Sequence, residues 1–127
     1  AINDYTKTIE IDPEDAYAYV YRASANRDDG NYNEALVDYN KAIEISSDIA
    51  SFYHDRGSCK GRSGNFKEAI LDYTKALELN PDYSLSYRGR GWAKESLKDL
   101  KGACEDWKIA SELGDQYAAK KLKEHCE

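Results

Sequence analysis

Apolar and small side chains recur along this chain at helical intervals, stop at short polar breaks, and resume. Between residues 66 and 77, Phe66, Ala69, Ile70, Tyr73, Ala76 and Leu77 fall three or four positions apart, which lays a single stripe along an α-helix. The preceding stretch carries Phe52, Tyr53, Arg56, Gly57 and Lys60 at the same spacing. Gly64-Asn65 separates the two, and glycine can take the left-handed conformation in which many helices end. Pro81 stops the second stripe, as Pro13 does earlier in the chain. Read in this way, the pattern predicts helices over about 1–11, 15–28, 32–45, 49–62, 66–79, 83–97, 100–113 and 116–126. In the last of these, Ala118, Ala119 and Leu122 lie on one side and Lys120, Lys121, Lys123 and Glu124 on the other, as suits a helix that closes a stack with a polar outer face.

The stripes repeat as whole units. Asp4-Tyr5, Asp38-Tyr39, Asp72-Tyr73 and Asp106-Trp107 follow one another at intervals of 34 residues. Ala1, Ala35, Ala69 and Ala103 keep the same step, as do Tyr19, Tyr53 and Tyr87, and Arg22, Arg56 and Arg90. Gly30-Asn31-Tyr32 returns as Gly64-Asn65-Phe66 and, in weakened form, as Lys98-Asp99-Leu100.

A helix–turn–helix unit of this length with these columns resembles the tetratricopeptide-repeat (TPR) family over essentially the whole chain. The family's small positions match Ala23, Gly57 and Gly91, then Ala35, Ala69 and Ala103, then Ala42, Ala76 and Ala110. Its aromatic positions match Tyr19, Tyr53 and Tyr87, Tyr32 and Phe66, and Tyr39, Tyr73 and Trp107. The resemblance implies an all-α, right-handed superhelical solenoid of antiparallel helix pairs, with about 3.5 repeats and a capping helix, forming one structural domain. The units would be the second helix of a truncated repeat (1–15), full repeats at 16–49, 50–83 and 84–117, and the cap (118–127). The third full repeat is degenerate, with Lys98 at the turn glycine and Gly114-Asp115 at the closing Asn-Pro. Ser46-Ser47 likewise stands where Pro-containing pairs stand elsewhere.

One departure is systematic. The family usually places Leu where this chain has Arg22, Arg56 and Arg90, and each unit also carries an Asp (Asp38, Asp72, Asp106) on its second helix. We expect a repeated, partly buried Arg–Asp pair joining the two helices, against the alternative that both groups are solvated.

In the family, first helices line a concave groove where ligands bind. Carried over, the groove positions are Tyr17, Val20, Ser24, Arg27 and Asp28, then Ser51, His54, Ser58 and Arg62, then Leu85, Arg88, Trp92 and Glu95, with Ala119, Leu122 and Cys126 from the cap. Arg27, His54, Arg62 and Arg88 would give this surface a basic centre suited to an acidic or carboxylate-bearing segment. Solvated arginines and an idle histidine are the plain alternatives. Trp92 is the candidate hot spot, the alternative being packing against the cap. Family members that clamp the acidic tails of chaperones use Lys, Asn and Arg at groove positions held here by Val20, Ser24, Asp55, Leu85 and Gly89, so that clamp is absent.

Composition narrows the function. The net charge of −6 disfavours nucleic acid and anionic membranes, and no apolar run approaches the roughly 20 residues of a membrane span. Eleven Tyr against two Phe suits the half-buried positions of a thin, two-layer structure. Cys59, Cys104 and Cys126 form no CxxC, so no metal site is expected, and their odd number points to a reducing compartment. Cys104 and the cap's Cys126 should lie close, either bonded or buried as small apolar groups. No HExxH, nucleophile elbow or phosphate-cradling glycine loop is present, so neither catalysis nor a cofactor is expected. The chain therefore reads as a soluble interaction scaffold that binds a protein or peptide, cytoplasmic on its cysteine count. Because it opens in mid-helix at Ala1-Ile2-Asn3, it also reads as a fragment lacking its targeting segment, which leaves the compartment open. The competing reading is a self-assembly unit stacking end to end, as a homo-oligomer, through the apolar face that Ile2, Tyr5, Ile9 and Ile11 would leave open at the amino-terminal end.

Overall fold

The computed structural model describes residues 2–126. Among these it consists of α1 (Ile2–Ile11), α2 (Ala16–Asp28), α3 (Tyr32–Ile45), α4 (Ala50–Arg62), α5 (Phe66–Leu79), α6 (Ser84–Ser96), α7 (Leu100–Glu112) and α8 (Gln116–His125), with no strand. Each helix packs mainly on its neighbours in sequence, so the pairs α2–α3, α4–α5 and α6–α7 stack into a solenoid with α1 and α8 at its ends. The sequence-predicted starts at 15, 49 and 83 are one residue early, because Asp15, Ile49 and Tyr83 are the capping residues of their helices.

The turns explain the punctuation. Gly30, Gly64 and Gly114 adopt φ of +84°, +93° and +101°. Lys98 holds the equivalent position at φ +68°, where a Cβ is strained. Ser46 replaces the closing asparagine without loss of shape: its φ of −138° is close to the −141° of Asn80, and its N–H bonds the Ala42 carbonyl as that of Asn80 bonds Ala76. Side-chain caps come from Asp15, Asp99 and Asp115, whose carboxylates accept from the N–H of Ala18, Gly102 and Ala118.

The core alternates the smallest side chains with the largest. Ala23, Ala35, Ala42, Ala69, Ala76, Ala103 and Ala110 are completely enclosed, and so are Tyr39 and Trp107. A Cβ added at Gly57 would lie 3.1 Å from Asp72 Cβ and 3.2 Å from the Ala69 carbonyl; one at Gly91 would lie 2.7 Å from Trp107 Cδ1. The helices of a pair thus cross where one presents no side chain, and the aromatic ring of its partner fills the space. The Trp107 Nε1–H is buried without a partner among the described residues, while the equivalent Tyr39 hydroxyl shares a 2.9 Å hydrogen bond with Ser24. The third unit has Trp92 where the first has Ser24 and therefore offers no hydroxyl.

The Arg–Asp pairs form as expected, and reach further. Arg22 donates from Nε and Nη2 to Asp38 (2.7 and 2.8 Å), Arg56 to Asp72 (2.9 and 2.8 Å) and Arg90 to Asp106 (2.9 and 2.8 Å). The bidentate geometry is the strongest a guanidinium offers, and hydrogen bonding to the carboxylate is the main influence raising each arginine's pKa. The remaining Nη1 of each donates one helix back, to Thr6, Asn40 and Thr74. Each arginine therefore ties three successive helices and lies over a tyrosine of its own helix, Tyr19, Tyr53 or Tyr87.

Candidate functional site

A cavity of about 280 Å³ opens between α4, α6 and the start of α8. It is lined by His54, Ser58 and Arg62 of α4, Leu85, Arg88, Gly89 and Trp92 of α6, Tyr73 of α5 and Tyr117 of α8. Two glycines shape it. A Cβ at Gly89 would fall 2.6 Å from Tyr73 Cζ, and one at Gly61 would fall 2.8 Å from Trp92 Cη2. The absence of those side chains lets Tyr73 lie under α6 and Trp92 lie against α4, where its ring meets Phe66 edge to face at 5.5 Å.

The 34-residue step operates inside the site too. The Tyr83 ring stacks on His54 at 5.1 Å, and one period later Tyr117 lies under the Arg88 guanidinium at 5.4 Å. His54 Nδ1 is 2.9 Å from the Ser86 hydroxyl. Burial, assisted by Arg27 and Arg88, pushes its pKa down to about 4, so the imidazole is neutral at neutral pH. Burial likewise pushes the Tyr73 hydroxyl up to about 12. The floor of the cavity is uncharged, and its charges are the two arginines at the rim.

Both arginines keep donors free. Arg62 Nη1 reaches Asp28 Oδ1 at 3.1 Å, across one full period of sequence, and Arg88 Nε reaches Asp115 Oδ2 at 3.5 Å. The other guanidinium N–H groups of these two residues have no protein acceptor among the described residues. The arrangement can hold a side chain against aromatic walls and a carboxylate at the rim.

Three family models describe the same period in overlapping frames: a tetratricopeptide repeat at residues 4–37, a TPR repeat at 23–59 and a tetratricopeptide repeat at 50–83. The chain belongs to the tetratricopeptide-repeat family. Its TPR solenoid is similar to the crystal structure of MamA, with a TM-score of 0.82 at 22% identity over 89% of this chain and 66% of that one. It is also similar to the first TPR of Spaghetti (RPAP3), solved with the HSP90 peptide SRMEEVD, with a TM-score of 0.81 at 26% identity over 86% of this chain and 88% of that one. The Arabidopsis OM64 TPR domain superposes with a TM-score of 0.80 at 27% identity, covering 87% and 95%. No curated protein matches the chain.

The TPR array brings His54, Ser58, Arg62, Leu85, Arg88 and Trp92 into one cavity and leaves the other expected groove positions outside it. Val20 is 5% exposed and belongs to the core with Phe52 and Cys59, so it is no groove residue: the family's position is filled inward here. Arg27 is also turned inward, 15% exposed, against Asp28 (3.3 Å) and Asp55 (3.9 Å). With His54 neutral as well, the expected basic centre of four residues contracts to Arg62 and Arg88. Ser24 is engaged by Tyr39, Glu95 by Lys121 of α8 at 3.0 Å, and Tyr17 by Phe52 and Tyr21. Ser51 is half-buried and Asp28 exposed, and neither lines the cavity.

The cap differs from expectation. Leu122 and Cys126 pack on α7 around Trp107, and Ala119 is exposed outside the cavity; it is Tyr117 that α8 contributes. The signal for Tyr117 was its spacing of one period from Tyr83 at the start of α6. Trp92 is held by Gly61 and Phe66, not by the cap. Cys104 and Cys126 form a disulfide with Cα atoms 5.8 Å apart, leaving Cys59 buried and free. A disulfide belongs to oxidising surroundings, so the odd cysteine count loses its value as a sign of a reducing compartment. No described helix is long and apolar enough to cross a membrane.

Proposed function

We propose that this TPR array is a non-catalytic interaction module that binds a protein or peptide segment along its concave groove, with the α4–α6–α8 cavity as the anchoring point. The cavity carries the reading: six of the residues expected to line the groove border it, and two of them are arginines retaining free donors. Trp and Arg are the side chains that most often dominate binding surfaces. The test is capture from native lysate with wild type, an Arg62→Glu/Arg88→Glu double variant and Val37→Glu on an exposed position of α3. A partner retained by wild type and Val37→Glu but lost from the double variant supports the groove; identical recovery from all three refutes it.

The ligand differs from that of the RPAP3 domain. Val20, Ser24, Asp55, Leu85 and Gly89 stand at the clamp positions, and neither the buried Val20 nor Gly89, closed over Tyr73, leaves space for a clamp side chain. The peptide SRMEEVD is expected not to bind, and a micromolar dissociation constant would overturn this.

End-to-end self-assembly is the weaker reading. Stacking copies in the 34-residue register would set Glu124, one period after Arg90, beside Asp4, one period before Asp38. That exchanges the Arg–Asp pair of each internal unit for two like charges. Light scattering is expected to report a monomer across concentration.

A further inference from the structure

Building on the groove reading, we infer that the α4–α6–α8 cavity receives one aromatic side chain of the bound segment, with an acidic residue beside it in the segment held by Arg62 and Arg88. Size comes first. At about 280 Å³ the cavity falls just below the range of sites that enclose a whole small-molecule ligand, so it suits a single large side chain of a longer molecule.

The walls set the shape. Tyr73, Trp92 and Tyr117 present rings from three different helices, with Leu85 completing the apolar lining. A guest ring can meet such walls edge to face or offset, the arrangements aromatic pairs prefer. A short side chain would leave those contacts unmade, and a buried surface without partner atoms loses its dispersion energy outright. The glycines at 61 and 89 keep the walls close to the backbone, so Trp92 and Tyr73 are fixed before the guest arrives.

Charge then selects what flanks the ring. Lysine and arginine are ordinary guests of aromatic cages, but here two guanidinium groups at the rim repel them. The same two groups carry N–H donors in the fork geometry that matches a carboxylate. Neighbouring Asp28 and Asp115 do not fill that capacity, since each takes one nitrogen, and Asp28 is itself exposed. An aspartate or glutamate adjacent to the aromatic residue brings its carboxylate to the rim while the ring occupies the cavity.

The test uses fluorescein-labelled nine-residue Gly/Ser peptides bearing Glu-Phe-Glu, Glu-Ala-Glu or Lys-Phe-Lys at the centre, titrated by anisotropy. The protein is the wild-type chain, Leu85→Glu and Trp92→Ala, with folding checked by circular dichroism. Leu85 is 40% exposed, so its variant keeps the fold even if loss of Trp92 loosens α4 against α6. Wild type should bind Glu-Phe-Glu about tenfold or more tighter than either other peptide, a ratio that ring contacts and burial together supply. Both variants should bring the Glu-Phe-Glu to Glu-Ala-Glu ratio to about one. Equal binding of Glu-Phe-Glu and Glu-Ala-Glu by wild type, or a ratio unchanged in Leu85→Glu, overturns the inference and leaves the groove reading standing. Failure of Glu-Phe-Glu to bind at about 1 mM also overturns it. Lysate capture that depends on Arg62 and Arg88 would still support the groove in that case.

Discussion

Replacing Asp72 with alanine tests the internal ladder of the array. Asp72 lies almost wholly inside, its side chain 6% exposed; it accepts hydrogen bonds from Arg56 Nε and Nη2 and forms an ion pair with Lys60 Nζ at 3.2 Å. Its removal takes the carboxylate from Arg56, whose side chain is 19% exposed, and leaves Lys60, 17% exposed, with Glu68 at 3.5 Å. Breaking a buried pair by removing one partner costs about 3–5 kcal/mol. The partial access of water to Arg56 and Lys60, and the better helix propensity of alanine, place the expected loss near the lower end, at about 3 kcal/mol. For a chain of this size that lowers the melting temperature by roughly 10 °C. The assay is thermal and urea unfolding followed by circular dichroism, with Glu78→Ala on the exposed side of α5 as control. A double-mutant cycle with Arg56→Leu, the residue usual in the family, isolates the pair and should give a coupling energy of about 1–3 kcal/mol. If Asp72→Ala melts with the control, or the cycle closes to zero, the ladder contributes nothing and the arginine column needs another explanation.

Lys98→Gly should raise stability by about 0.5–1 kcal/mol in urea unfolding, because Lys98 sits at φ +68° where its neighbours in the repeat are glycines; an unchanged midpoint would mean the turn is unstrained. The depressed pKa of His54 gives a signed pH dependence. Between the ordinary value of 6.5 and about 4 the unfolded chain binds a proton that the folded chain does not, so stability falls as pH is lowered through that window. The loss attributable to this group approaches about 3 kcal/mol at the bottom of the window, and His54→Gln should flatten the slope; an equal slope in the variant refutes the assignment. Reducing the Cys104–Cys126 bond, which closes a separation of 22 residues, should cost about 3 kcal/mol of stability and free α8, the element that holds Tyr117 at the cavity. Amide exchange in α8 that is identical with and without reductant would refute that coupling.

The residues alone determined the framework of this TPR array. Helix positions, small columns and the Arg–Asp pairs all follow from a period of 34, because a repeated helix pair forces equivalent residues into equivalent contacts. A pair separated by 16 residues within one unit, such as Arg56 and Asp72, is nearly a local feature and can be seen as two columns moving together. The third tie of each arginine, to Thr6, Asn40 or Thr74, joins neighbouring units and is marked only by a loosely polar column.

The binding surface was decided elsewhere. Counting cations along the first helices suggests a basic groove, but charge in a fold depends on partners and water. Asp28 reaches Arg62 from the preceding unit, Asp55 draws Arg27 inward, and burial keeps His54 neutral. The cavity exists because Gly61 and Gly89 let Trp92 and Tyr73 approach the backbone closely where the units meet, and because the cap turns Tyr117 toward it and Leu122 away. A periodic sequence specifies which residues are equivalent; the twist between successive units and the rotamers chosen in packing specify which of them share a surface.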